Sequence, residues 1–308
     1  MASPQASVFH EGTSFHWFLH FRLIDRGPAG TPIADVTAAL RAVRDSASSG
    51  PPSETVNLVI GFGPDLLSRL DPTGVPDGFR PFTEIVGPVG HVAVATQEDV
   101  FVWLHSDRHD RNFEVASAAR RAFAGCASLA RETPSFVYRD SRDLTGFIDG
   151  TENPDADAAR SLAVIGDGRP GAGGSFVLTQ RWVHDLDGFA GLAVTEQEQI
   201  VGRTKPDSVQ LEVLAPDSHV RRSSVDDDAG EEIKIYRRSV PYGTAAEAGL
   251  YFLSFTDDLS KIDRMLASMY GRTPDGVHDR IIDFSRTVSG AYYFAPAADD
   301  LARMITPG

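Results

Sequence analysis

Two stretches far apart in the chain carry the same run of signals, and that repeat restricts the fold more than any other feature. Val100-Phe101-Val102-Trp103-Leu104 is an apolar run rich in β-branched and aromatic residues, and it reads as a strand. A helical stripe follows over 111–131, with Val115, Ala119, Ala122, Cys126 and Leu129 on one face. Gly249 to Phe255 also reads as a strand, runs into Asp257, and precedes a helix whose Leu259, Ile262, Leu266 and Met269 form a stripe. The match is one of pattern, not of identical residues, and it points to an internal duplication in that sense only.

The surrounding segments extend each copy in the same order. Phe15, Trp17, Leu19, Phe21 and Leu23 alternate with His16, Phe18, His20 and Arg22, the period of a strand with one well-buried face, which leaves His16 and His20 on the less buried one. A turn at Gly27-Pro28-Ala29-Gly30, a helix over 34–46, a strand over 56–62 and a short helix over 64–70 follow. A proline- and glycine-rich loop over 71–90 leads to a strand at Val92-Ala93-Val94-Ala95, and Phe136-Val137-Tyr138 closes the half after Thr133-Pro134 ends the long helix. In the second half Gly174 to Val183 is a strand, Thr195 and Glu198 make a capping box, Val209 to Val213 is strand-like, and Tyr292-Tyr293-Phe294 is the last strand. Residues 155–173 and 223–232 read as surface loops. The expectation is an α+β fold of two ferredoxin-like units, each an antiparallel sheet covered by helices, spanning 1–140 and 141–308.

The chain's 308 residues suffice for two ordinary domains. A formal charge of −14 excludes nucleic acid and anionic membrane as partners, which the whole surface would repel. The single cysteine, Cys126, rules out an internal disulfide and fits a reducing cytoplasm. Met1 to Gly12 carries neither a basic and apolar leader nor a twin arginine, and no stretch approaches the ~20 apolar residues of a membrane span, so a cytoplasmic location is expected.

Chemistry concentrates in a few segments. In Gly146-Phe147-Ile148-Asp149-Gly150-Thr151-Glu152-Asn153-Pro154 an acid stands between two glycines, held by a backbone that only glycine relaxes easily. Of nine histidines, His105 and His109 are four apart, but a strand-to-helix break separates them, and ordinary polar positions account for them as for His16 and His20. His219 lies in Ala215-Pro216-Asp217-Ser218-His219-Val220-Arg221-Arg222, and eighteen residues on comes Arg237-Arg238-Ser239-Val240-Pro241-Tyr242-Gly243-Thr244.

Together these motifs resemble the dye-decolorising peroxidases, haem proteins of the dimeric ferredoxin-like group, and the B-type members most closely, over about residues 15 to 296. The resemblance implies one haem b per chain, held mainly by the second half, with His219 as axial ligand, Arg237 as distal cation, Ser239 as a distal hydrogen-bonding group and Asp149 as distal acid. Some B-type members have Asn at the Ser239 position. It implies reduction of hydrogen peroxide and oxidation of dyes, phenols or similar donors through an oxidised haem intermediate; a haem-binding or trafficking protein with incidental peroxidase activity, and a cofactor-free structural oligomer, are the rivals. Asp283 is the candidate carboxylate for the second nitrogen of His219, against a reading as a solvated helix-end acid. Arg203 is a candidate partner of a haem propionate or of an interdomain salt bridge. Trp182, Trp103 and Tyr251 are candidate electron relays, or simply core. A homo-oligomer, and packing as cargo in an encapsulin-type shell, complete the expected partners.

Overall fold

The computed structural model describes residues 2–27, 30–150 and 153–306. Pro28-Ala29 of the expected turn, Thr151-Glu152 of the glycine-flanked motif and the terminal Pro307-Gly308 lie outside the described residues. The first half runs β1 (Phe15–Leu23), α1 (Ile33–Ala47), β2 (Asn57–Phe62), α2 (Pro64–Leu70), the short hairpin β3 (Ile85–Val86) and β4 (Val92–Ala93), β5 (Val100–Ser106), α3 (His109–Phe123) and β6 (Ala127–Phe136). The second half runs α4 (Ala156–Ala163), β7 (Ser175–His184), α5 (Leu186–Ala190), α6 (Val194–Val201), α7 (His219–Ser223), β8 (Tyr236–Arg237), β9 (Val240–Gly243), β10 (Ala248–Thr256), α8 (Leu259–Met269), β11 (Ser285–Ala295) and α9 (Ala298–Ile305).

All strand pairs are antiparallel, and the order in the main sheet is β6-β1-β5-β2-β11-β7-β10-β8, with β9 also on β10. Leaving out the small hairpin, each half places its fourth, first, third and second strands side by side, the ferredoxin-like order, so the two-unit α+β expectation holds. The halves meet where Phe62 of β2 pairs with Phe294 of β11.

One face of this sheet is covered by helices. Val36, Leu40 and Val43 of α1, Val115, Ala119 and Phe123 of α3, and Leu259, Ile262 and Leu266 of α8 join one apolar core with Trp17, Leu19 and Phe21 of β1. The other face is covered by sheet. Phe18 of β1 stacks on Tyr251 of β10 with ring centroids 3.6 Å apart, although four strands separate them in the sheet order, so the sheet curls until its two halves pack face to face. This corrects the placing of His16 and His20 on a less buried face, since both are buried. His20 lies between the hydroxyls of Tyr251 (2.7 Å) and Tyr293 (2.8 Å), and burial, reinforced by the charge of Arg131, pushes its pKa down to about 3.

Other expectations also change. The helix expected over 111–131 ends at Phe123; Leu129 and Pro134 belong to β6, an edge strand, where a proline costs no ladder bond on its outer side. Cys126 is buried in the turn between α3 and β6. Thr195 lies inside α6, whose N-cap position is Ala193 and has no side-chain cap, so no capping box forms. Residues 209–213 form no strand, α4 occupies part of the loop expected over 155–173, and α9 follows the last strand. Among the described residues no helix is long and apolar enough to cross a membrane.

The face-to-face packing predicts a large cost for Phe18→Ala. Removing a fully buried aromatic typically costs about 3–5 kcal/mol, and chemical denaturation would read it; a loss below about 1 kcal/mol would show that this face is not a tight core.

Candidate active site

Period-two geometry sends alternate residues of β7 to one face, and there Leu178, Gln180, Trp182 and His184 line a cavity. Its opposite wall is α8, with Ile262, Met265, Leu266 and Met269, and Leu250 and Phe252 of β10 complete a mostly apolar surface. Polar groups enter at few points, and three of them are His219, Asp149 and Arg237. Gln180 is buried, and its Nε2 has no hydrogen-bond partner among the described residues.

His219 opens α7, directly after Ser218. Its Nδ1 lies 2.6 Å from Oδ2 of Asp279, whose side chain is completely buried. A carboxylate accepts only, so in the neutral ring Nδ1 carries the hydrogen and Nε2 keeps its lone pair. Burial opposes a charged imidazole here, but the charge of Asp279 and its hydrogen bond outweigh it and hold the His219 pKa above its ordinary value. The side chain is about one-third accessible, and His219 lines the cavity.

The partner carboxylate is therefore Asp279, not Asp283. Residues Arg280–Asp283 form a 3-10 turn; Asp279 caps its start from inside, with Oδ1 accepting from the Ile281 N–H at 3.0 Å. Asp283 ends the turn on the surface, where His91 and His278 engage it.

Across the cavity lining, Asp149 is set by its backbone. Gly146 and Gly150 have φ of +91° and +77°, and a Cβ on Gly146 would come within 2.8 Å of Lys205 Cε. Asp149 N–H donates to Ser141 O at 3.0 Å, and its Oδ1 accepts from Gly150 N–H at 2.7 Å. Farther along the same motif, the Asn153 side chain donates to Arg237 O (2.7 Å) and accepts from Arg237 N–H (3.1 Å), so the acid-bearing loop grips the strand carrying the cation. The Arg237 guanidinium makes no ion pair or hydrogen bond among the described residues. Asp149 and Arg237 also line a second, more polar cavity together with Glu11, Thr13, Ser141 and Ser239. Ser239 lines only that second cavity, and its Oγ accepts from Leu253 N–H at 3.3 Å.

The family model described as Dyp-type peroxidase, N-terminal, matches residues 7–136, and the C-terminal one matches residues 140–300. The chain belongs to the Dyp-type peroxidases. It is 35% identical over 291 residues to a dye-decolorizing peroxidase of Mycolicibacterium paratuberculosis, covering 92% of this chain and 81% of the relative. A Rhodococcus jostii RHA1 DypB variant solved in complex with heme superposes with a TM-score of 0.88 at 32% identity, covering 97% of both chains. A dye-decolorizing protein from V. cholerae gives 0.86 at 32% identity, over 97% of this chain and 98% of that one.

Within this Dyp-type peroxidase chain, not every residue singled out from sequence reaches the cavity. Arg203 is not among the lining residues, and its Nη1 donates to Ser208 O at 2.7 Å. Trp182 lines the cavity, whereas Trp103 and Tyr251 belong to the core between the two sheet halves. Sequence reasoning missed a polar chain on the cavity wall, in which His184 Nδ1 meets Ser285 Oγ at 2.7 Å and His184 Nε2 meets Asp143 Oδ1 at 3.1 Å. The alternation of β7 carried the signal, because it sets His184 on the face of Trp182.

Burial alone would raise the Asp143 carboxyl, but hydrogen bonds from His184 and Thr145 outweigh it and hold its pKa below the ordinary value. A depressed carboxylate stabilises the fold above its unfolded pKa, and the contribution is lost as pH falls through the folded one. Asp143→Asn should therefore cost about 1.5–3 kcal/mol near neutrality and flatten the fall in melting temperature below about pH 4. An acid limb as steep as that of the parent protein would contradict this.

Proposed function

We propose that this chain is a haem-dependent peroxidase that reduces hydrogen peroxide and oxidises dyes, phenols or similar small donors, with one haem b per chain bound in the apolar cavity. The observation that carries the reading is His219, its Nδ1 committed to buried Asp279, on the wall of a cavity that also presents Asp149 and Arg237, whose guanidinium has no ion pair or hydrogen bond among the described residues. The residues fit such a group: apolar walls suit a flat macrocycle, one imidazole has its second nitrogen free to ligate, and Gln180 has an unsatisfied donor on the same wall. When bound, the haem supplies the redox centre at which the O–O bond of peroxide is broken and donors are oxidised.

The protein's part is orientation, charge and proton handling. Asp279 fixes the ring of His219 and makes it the stronger electron donor. Arg237 stays protonated at any ordinary pH, so it stabilises negative charge on the departing oxygen and cannot serve as base. On this reading Asp149 takes a proton from one peroxide oxygen and returns it to the other, which leaves as water. Ser239 would order solvent in the polar cavity behind these two residues. A haem carrier would have no use for a cation that lines the cavity here.

Arg203, two residues beyond the cavity-lining Val201, is proposed to pair with a propionate. Trp182 is the relay candidate that the cavity supports. The division into units 1–140 and 141–308, with the haem in the second, belongs to the same proposal, supported by cavity-lining residues that all fall between Asp143 and Ser285. Cytoplasmic location is proposed from the lone Cys126. Assembly as a homo-oligomer and packing in an encapsulin-type shell rest on the family resemblance alone.

His219→Ala should abolish haem binding or severely loosen it, as read by haem titration; a parent-like haem spectrum in that variant would remove His219 as the ligand. Arg237→Leu should slow the first reaction with peroxide in stopped flow by about a hundredfold or more, and Asp149→Ala should slow it less, because a water can replace a proton shuttle but not a fixed charge. The reverse order would make the acid the larger contributor.

A further inference from the structure

We propose that His91, His278 and Asp283 form a surface site for a divalent transition-metal ion of the zinc type, distinct from the haem cavity. Nε2 of His91 lies 2.8 Å from Oδ1 of Asp283, and Nε2 of His278 lies 3.0 Å from the same oxygen. The ligating atoms of all three residues fall within 4.8 Å of one another. None of the three lines the cavity, and the proposed reaction uses none of them.

The three side chains come from two segments, the β3-β4 hairpin and the stretch after α8, that the backbone fixes side by side. His91 ends the turn between β3 and β4, where its carbonyl accepts from Gly87 N–H at 2.8 Å. A Cβ on Gly87 would lie 2.6 Å from Tyr270 O, so the absence of a side chain lets this hairpin press against the segment that follows α8. In that segment Gly271, at φ +67°, leaves room for the backbone of His278, at 3.2 Å from where its Cβ would be. His278 directly precedes Asp279, which is anchored by His219, and Asp283 closes the 3-10 turn that Asp279 begins.

Two imidazoles and one carboxylate are borderline donors. They suit Zn²⁺ and its transition-metal neighbours, whereas Mg²⁺ and Ca²⁺ prefer shells built wholly of oxygen. Around a tetrahedral ion with bonds of ~2.0–2.2 Å the ligand atoms stand about 3.3 Å apart. The Asp283 oxygen would retreat from each ring by a few tenths of an ångström, and the rings would draw together. The side chains are 30%, 25% and 40% exposed for His91, His278 and Asp283, so they have room for that adjustment, and water can take the fourth position. The competing arrangement is two histidines that merely share one carboxylate, each donating its Nε2–H, with no lone pair offered to an ion. A bound ion would cross-link the hairpin of the first half to the turn of the second.

The test uses the haem-loaded full chain without a polyhistidine tag, dialysed against micromolar Zn²⁺, with retained metal measured by atomic emission. The expected result is one zinc per chain and a raised melting temperature, with both lost in His91→Asn and in Asp283→Asn while their haem spectra and zinc-free melting temperatures stay as in the parent. Asp283→Asn leaves the hairpin untouched, so it keeps the test valid if the hairpin tolerates substitution poorly. No retained zinc in the parent protein, or equal retention in the His91→Asn/His278→Asn double variant, would overturn the site. Stoichiometric zinc without any rise in melting temperature would overturn the cross-link.

Discussion

Phe18 lies flat against Tyr251, with 4° between the ring planes, and that contact requires a sheet curled far enough to bring β1 over β10. The consequence is that the central strands are buried on both faces. One face meets helices, the other meets the sister half, and polar residues caught between the halves must find partners there. His20 finds two tyrosine hydroxyls, and Trp103 donates to His16 at 3.2 Å. With the space between the two halves of the sheet closely filled, an apolar cavity is left between the second half of the sheet and its helices, where the chain inserts α5, α6 and α7 between β7 and β8.

Within that cavity the electrostatics are set by a few groups with little solvent to screen them. Asp279 uses both oxygens, one to cap the 3-10 turn and one to hold His219, which makes a fully buried carboxylate tolerable. Arg237 is positioned through its backbone by Asn153, and its guanidinium makes no ion pair or hydrogen bond among the described residues. Orientation is thus supplied by main-chain contacts, and charge by side chains left available for a ligand.

Much of this was legible in the residues. The glycine-flanked Asp149 and the strand-helix order of both halves reflect local rules that tertiary contacts did not override, whereas the spacing of His219 from Arg237 had meaning only through the family resemblance. The failures have physical causes. His16 and His20 read as lying on a less buried face because alternation along β1 cannot reveal the other half of the sheet packed on that face. The helical stripe ran past Phe123 because Cys126 and Leu129 keep the period while the chain has already turned into β6. Asp279 and Asp283 are four residues apart in one short turn, and only the direction of its cap decides which of them faces His219. The contribution of Asp143 and His184 to the wall depends on contacts between β7, β11 and the 143–149 loop, which no single motif records.

The central claim, that this cavity turns a histidine-ligated haem into a peroxide-reactive centre, is tested most directly by the visible spectrum of the purified protein loaded with one equivalent of haem, recorded before and after one equivalent of hydrogen peroxide. The account predicts a Soret band that shifts on adding peroxide and returns when a dye or phenol is supplied as donor. A protein that develops no Soret band, or one whose Soret band peroxide leaves unchanged, would contradict it.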